Sequence, residues 1–140
     1  MSSDAELAVR NIVARLAHLA DDGDVDRYVA EMTDDVVWSM PANPAVGLPA
    51  TSRNGRDEIA TGARERIAAG LQGPGTNTRH VITTSVVDLE SDDRARARST
   101  FLFVECTTAT PTIRTMGQYD DVMHRTPDGW KLASRTITFG

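Results

Sequence analysis

The sequence predicts an α+β fold: a curved antiparallel sheet with three N-terminal helices packed over one face. Three observations carry that expectation. Apolar residues recur at helical spacing through the first half of the chain, up to about Leu71. From residue 79 onward the pattern becomes the two-residue alternation of strands. The strand-rich half is broken by "SDD" (91–93) and "PDG" (127–129), turn sequences suited to antiparallel hairpins. Helices first and strands after is the α+β pattern. Such a sheet curls toward a cone, and the space between sheet and helices is the natural place for a pocket.

The first helix is expected over about residues 4–20. Ser3 and Glu6 have capping-box spacing, and Val9, Ile12, Val13, Leu16, Leu19 and Ala20 form one apolar stripe. Gly23 ends it, and Asp24 caps a shorter helix carrying Val25, Tyr28, Val29 and Met32. "DDVVWSMP" (34–41) reads as a short strand stopped by Pro41, and 41–54 as a long loop. A third helix, about 55–71, places Ile59, Ala63, Ile67 and Leu71 in steps of four, and "GPG" (73–75) breaks it. Strands are expected at about 79–90, 94–108, 112–125 and 130–139. On the second, Ala95, Ala97, Ser99, Phe101 and Phe103 share an inward face, leaving Arg94, Arg96 and Arg98 on a solvated one. On the third, Tyr119 and Asp121 share a face, so both look in or both look out. On the last, Trp130 and Arg135 fall on opposite faces unless a bulge intervenes.

With 140 residues, 40% of them hydrophobic, the chain suits one domain over 1–140 with a proper core. The net charge of −5 argues against nucleic acid or an anionic membrane as partner. No apolar run approaches a transmembrane span, and no secretory signal is expected from "MSSDAELAVR". The single cysteine, Cys106, cannot pair internally, which fits a cytoplasmic protein, and is read as a small packing residue.

Three histidines are present. His18 lies opposite the apolar stripe of the first helix and His124 sits beside Arg125, so both read as exposed. His80, in "TNTRHVITTS", opens a strand suited to burial. It reads either as a base facing a pocket or as a polar residue at a strand edge. No H-x-H or H-x-x-x-H spacing points to a metal, no G-x-S-x-G to a serine nucleophile, and "LQGPGTN" lacks the Lys-Ser/Thr of a phosphate loop. No metal or cofactor is therefore expected. A histidine oriented by a carboxylate is the best chemical reading, because imidazole exchanges protons near neutral pH.

"RLAHLADDGDVDRYVAEMTDDVVWSMP", "TRHVITTSVV" and "GQYDDVMHRTPDGWKLASR" together resemble the SnoaL-like branch of the NTF2-like superfamily, over almost the whole chain. The resemblance implies a cone of sheet with three helices around an apolar pocket. Residue placement is most similar to the lindane dehydrochlorinase, scytalone dehydratase and bile-acid dehydratase group, which use an Asp–His dyad. Carried over, the aspartate falls on Asp21, with Asp22 one step away, and the histidine on His80. Trp38 and Arg135 match pocket-lining positions, and Leu16, Tyr28, Met40, Phe101 and Phe103 complete the expected lining. Where several relatives carry a catalytic tyrosine or lysine this chain has Leu16, so Tyr119, Tyr28 or Arg135 would have to steady charge on a substrate oxygen.

By helical geometry Asp21 lies off the apolar stripe, so it reaches the pocket only if the helix ends or turns near Ala20. The base and tyrosine positions of ketosteroid isomerases fall on Met40 and Leu16, which argues against that activity, and the C-terminus lacks the acid of limonene epoxide hydrolases. Polyketide cyclases place an aspartate base near Asp121, an alternative that stays open beside a non-catalytic binding module. The expected ligand is a small, mostly apolar organic molecule, and relatives imply a homodimer or homotrimer.

Overall fold

Helix α1 (Ser2–Asp22) buries Val9, Ile12, Val13, Leu16 and Leu19 in one stripe, as their spacing predicts. In this computed structural model, which describes residues 2–140, the helix begins at Ser2. Ser3 therefore lies inside the first turn, and the expected capping box is not the helix start. The far end matches the sequence. Gly23, at φ +71°, donates to the Ala20 carbonyl and Asp24 donates to Leu19, a left-handed glycine cap. The Asp24 carboxylate then caps α2 (Val25–Ala30) by accepting from the Arg27 amide.

Strand β1 (Met32–Met40) starts two residues earlier than its sequence signal, and the expected loop contains a second strand, β2 (Thr51–Asn54). Its four polar residues, "TSRN", offer no apolar alternation to read. Helix α3 (Gly55–Ala68) is shorter than predicted and leaves Leu71 exposed. Then follow β3 (Arg79–Leu89), β4 (Arg94–Glu105), β5 (Thr112–Thr126) and β6 (Gly129–Phe139). The six strands form one curved sheet in the order β2-β1-β6-β5-β4-β3. Neighbours are antiparallel except β1 and β6, which pair in parallel.

Two bulges decide what faces the interior. In β3 the register shifts between Thr83 and Val86, with Thr84 at φ +53°. His80 and Ile82 point in before it, and Ser85, Val87 and Leu89 after it. In β6 the partners skip from Leu132 to Ser134, so Ala133 is the extra residue. Leu132 and Arg135 are thereby both buried, and Trp130 also packs on the core.

Val25, Ala60 and Ala63 form a small apolar cluster between α2 and α3, and two larger apolar parts lie on the sheet. The larger joins the α1 stripe to Tyr28, Met32, Val36, Ile59, Val87, Ala95, Ala97, Met123 and Leu132. Burying each large side chain there is worth about 1.5–3 kcal/mol. The smaller gathers Phe101, Tyr119 and Ile137, with Met40, Ile82 and Phe139 at its edge, and Trp38 touches both. Gly117 makes the second part possible. A Cβ there would lie 2.0 Å from the Thr138 carbonyl oxygen and 2.9 Å from the Phe101 ring. Gly117→Ala is therefore expected to lower the thermal midpoint by on the order of 5–10 °C. Loss of the Phe101–Tyr119 ring-current shifts in NMR spectra would show which contact gave way.

The outer face is charged, as predicted. Arg94 pairs with Glu90 and Arg96 with Asp120. Cys106 corrects its reading: it is exposed in a turn at φ +56°, outside the core. His18 is exposed, whereas His124 is half-buried beside Arg94. No described helix is long and apolar enough to cross a membrane.

Candidate active site

The helix α1 has a flank as well as an apolar stripe. Arg10, Ala14, Ala17 and Asp21 follow one another at helical spacing along the side that lies against β3. Arg10 donates to the Ser85 carbonyl at 2.9 Å, and at the other end Asp21 meets His80. The helix ends at Asp22, with Gly23 bonded back to the Ala20 carbonyl, so Asp21 stands in its last turn. The carboxylate reaches the site because the flank, not the apolar stripe, lies along the strand.

Asp21 holds His80 from two directions. Its Oδ1 lies 2.7 Å from His80 Nδ1, and its two oxygens accept the His80 backbone N–H at 3.1 and 3.2 Å. The carboxylate side chain is 8% exposed and the imidazole 17%. An ionised carboxylate only accepts, so Nδ1 carries the hydrogen and Nε2 keeps its lone pair. The ring tilts over Phe103, centroids 4.8 Å apart. Asp22 is exposed and takes no part.

Deeper on the same sheet face, Asp121 and Arg135 form a bidentate ion pair at 2.8 and 2.9 Å, 0% and 5% exposed. Burial alone would pull the guanidinium down, but the charge and hydrogen bonds of Asp121 hold it above the usual arginine range. Arg135 also stacks over the Tyr119 ring at 3.9 Å, and that ring lies flat on Phe101 at 4.6 Å. Burial pushes the Tyr119 phenol well above the usual tyrosine range; Arg135 opposes the rise, while Tyr28 and Asp121 add to it. Above the ordinary phenol value of about 10, an unfolded chain loses this proton and the folded chain keeps it, so stability falls as pH rises. Urea midpoints at about pH 9 and about pH 11 should show a slope that Tyr119→Phe reduces by up to about 1.4 kcal/mol per pH unit.

The expected pocket residues divide between the apolar parts. Leu16 and Tyr28 are buried in the larger one, Met40 and Phe101 belong to the smaller, Trp38 bridges them, and Phe103 lies under His80. An open groove of about 390 Å³ lies elsewhere, between the α1–α2 junction and α3, lined by Gly23, Val25, Arg64 and Ile67. Behind it a tight crevice runs inward to Tyr28 and Gln72. Neither cavity is lined by His80.

Three interior polar residues escaped the sequence reading: Arg53, on β2 opposite Trp38 and paired with Glu65, and two more. Arg66 stands seven residues after Ile59 and three after Ala63, on the buried stripe of α3. Gln72 is 6% exposed. The helical spacing carried the signal for Arg66, but steps of four led to its neighbour Ile67 instead. Among the described residues no three His, Cys, Asp or Glu side chains cluster as metal ligands.

A curved open sheet with three helices across it is an NTF2-like, cystatin-like fold. The chain belongs to the SnoaL-like domain family, whose model matches residues 1–136. Among solved structures it is similar to an NTF2-like protein from Novosphingobium aromaticivorans, with 21% identity, 97% of this chain and 82% of that one covered, and a TM-score of 0.78. A candidate scytalone dehydratase from the same organism shows 20% identity, 99% and 88% coverage, and a TM-score of 0.75. The β subunit of a candidate aromatic-ring-hydroxylating dioxygenase, also from that organism, shows 21% identity, 99% and 90% coverage, and a TM-score of 0.77. At these identities the likeness establishes the fold. No curated protein shows significant similarity to the chain.

Proposed function

We propose that the protein is a small-molecule lyase or isomerase that removes a proton from carbon with the Asp21–His80 dyad. The observation that carries this reading is the 2.7 Å contact between Asp21 Oδ1 and His80 Nδ1. It leaves Nε2 as base and sets a negative charge where an imidazolium would form. In the lyase form, Nε2 takes a proton from carbon next to a carbonyl, and the C–H pair becomes the new double bond. The leaving hydroxide departs from the neighbouring carbon with its bonding pair and receives the proton from His80 as water. The transient oxyanion needs a donor. Arg135 Nη1 and the Tyr119 hydroxyl suit that role, since neither has a hydrogen-bond partner among the described residues.

The cyclase alternative, with Asp121 as base, is weakened because Arg135 occupies both oxygens of that carboxylate. A binding module without catalysis draws support from Leu16, buried where a polar catalytic group would stand. One domain over 1–140, a cytoplasmic location and a homo-oligomer remain part of the proposal. Exposed Val81, Val86, Ile113 and Met116 on the strands β3 and β5 support the last. A screen of β-hydroxy and β-halo carbonyl compounds for elimination, with His80→Ala alongside, tests the enzyme reading. Activity that His80→Ala retains in full would refute the dyad. Ligand binding without turnover across the panel would favour the binding module.

A further inference from the structure

Besides the Asp21–His80 pair, the interior side of the fold carries three guanidinium groups, those of Arg53, Arg66 and Arg135. Arg135 is neutralised by Asp121 and Arg53 by Glu65. Arg66 is not neutralised, since no carboxylate lies within ion-pair distance of it among the described residues. Its place is unusual for a surface cation. It shares the buried stripe of α3 with Ile59 and Ala63, and its guanidinium stands 5.8 Å from the Trp38 ring centroid. Trp38 in turn touches both apolar parts of the interior. The positive charge is felt as far as the Tyr119 ring, whose phenol it pulls down against the effect of burial.

The contact that holds Arg66 is a neutral one. Its Nε donates to Gln72 Oε1 at 3.1 Å. Gln72 sits on the segment after α3, where Gly70, Gly73 and Gly75 all have positive φ and Pro74 lies against Gly23. The amide orients the guanidinium fork without cancelling its charge, so Nη1 and Nη2 stay free to donate. Leaving a half-buried cation unpaired is costly for a protein that needs only packing at this position. A chain with net charge −5 has carboxylates to spare, yet none is set here.

We propose that Arg66 recognises a carboxylate, so that the ligand of this site is a small organic acid with an apolar, aromatic-sized body. The carboxylate meets the guanidinium fork, and the body lies against Trp38 and the Phe101 side of the interior. This names the ligand class of the site described above, and rests on that reading only for where the reacting carbon would sit. It also revises the expectation of a mostly apolar ligand, because one end carries a charge.

The test is calorimetric titration of the full chain at neutral pH with benzoate and 2-naphthoate, and with benzamide as the neutral counterpart of the first. A carboxylate should bind, with benzoate favoured over benzamide by at least about 10-fold, the worth of a charged hydrogen bond. Arg66→Gln should remove that preference, whereas Arg114→Gln, an exposed arginine on β5, should leave it intact. Gln72→Glu serves if Arg66→Gln does not fold. It sets a carboxylate on the guanidinium from within the chain, and should abolish benzoate binding while leaving the thermal midpoint equal or higher. His80→Ala should still bind benzoate, so failure of the dyad reading and failure of this one give different results. Equal affinity for benzamide and benzoate, an unchanged preference in Arg66→Gln or Gln72→Glu, or no carboxylate binding up to about 10 mM would overturn the assignment.

Discussion

Arg135→Met is expected to cost about 3–5 kcal/mol of folding stability, seen as a fall of about 10–20 °C in the thermal midpoint. The reason lies less in the lost attraction than in what stays behind. Asp121 is 0% exposed, and both its oxygens are served by Arg135 alone. Without the guanidinium, the chain must bury a bare carboxylate or protonate it, and either is expensive. The double variant Arg135→Met with Asp121→Leu should recover much of the loss, because it removes both charges and keeps the volume. A double-mutant cycle measured by urea unfolding gives the coupling directly. If Arg135→Met cost under about 1 kcal/mol, the pair would not be the buried ion pair described. Asp121→Asn bears on function too. A stable Asp121→Asn protein with no turnover would revive the cyclase reading.

His80→Ala and Asp21→Asn should each lower kcat by about 10²–10⁴-fold on whatever substrate the screen yields. Thermal midpoints should move little. Asparagine keeps an oxygen to accept the His80 backbone N–H, so the tie between α1 and β3 survives in that variant. What is lost is the charge that fixes the tautomer. Groups that act as a unit are not additive, so the double variant should be about as slow as His80→Ala alone. Two independent, multiplying losses would mean that Asp21 acts elsewhere. Nitrogen NMR offers a check that needs no substrate: His80 should carry its hydrogen on Nδ1 in the native protein, and Asp21→Asn should shift that balance.

Much of the architecture was legible from periodicity. The α1 stripe, the Gly23 stop and the inward run Ala95–Ala97–Ser99–Phe101 all lie where simple spacing puts them. What escaped depended on partners distant in sequence. Strand β2 is polar and exists because β1 offers it an edge. The inward turn of Arg135 rests on one unpaired residue, Ala133, and strict alternation cannot foresee it. His80 stood out because the inward face of a strand has little use for histidine. Its tie to Asp21 came only through resemblance, since Asp21 lies off the apolar stripe and nothing local marks the flank as buried. Arg66 was readable on the α3 stripe, but an arginine among apolar neighbours is easily taken for a helix surface residue.

The strand order carries a consequence for how the molecule is made. β6, the last of the six strands in sequence, lies between β1 and β5, and it alone joins the β2–β1 pair to the rest of the sheet. While the chain emerges from a ribosome, β1 can pair only with β2, and β3, β4 and β5 can form only a meander with an open flank. Arg135 arrives with β6, so Asp121 waits on that flank without its counter-charge until β6 has emerged. Such late, long-range closure makes for slow folding and a nascent chain with an exposed strand edge. Loss of the C-terminal strand would divide the sheet in two rather than trim its border.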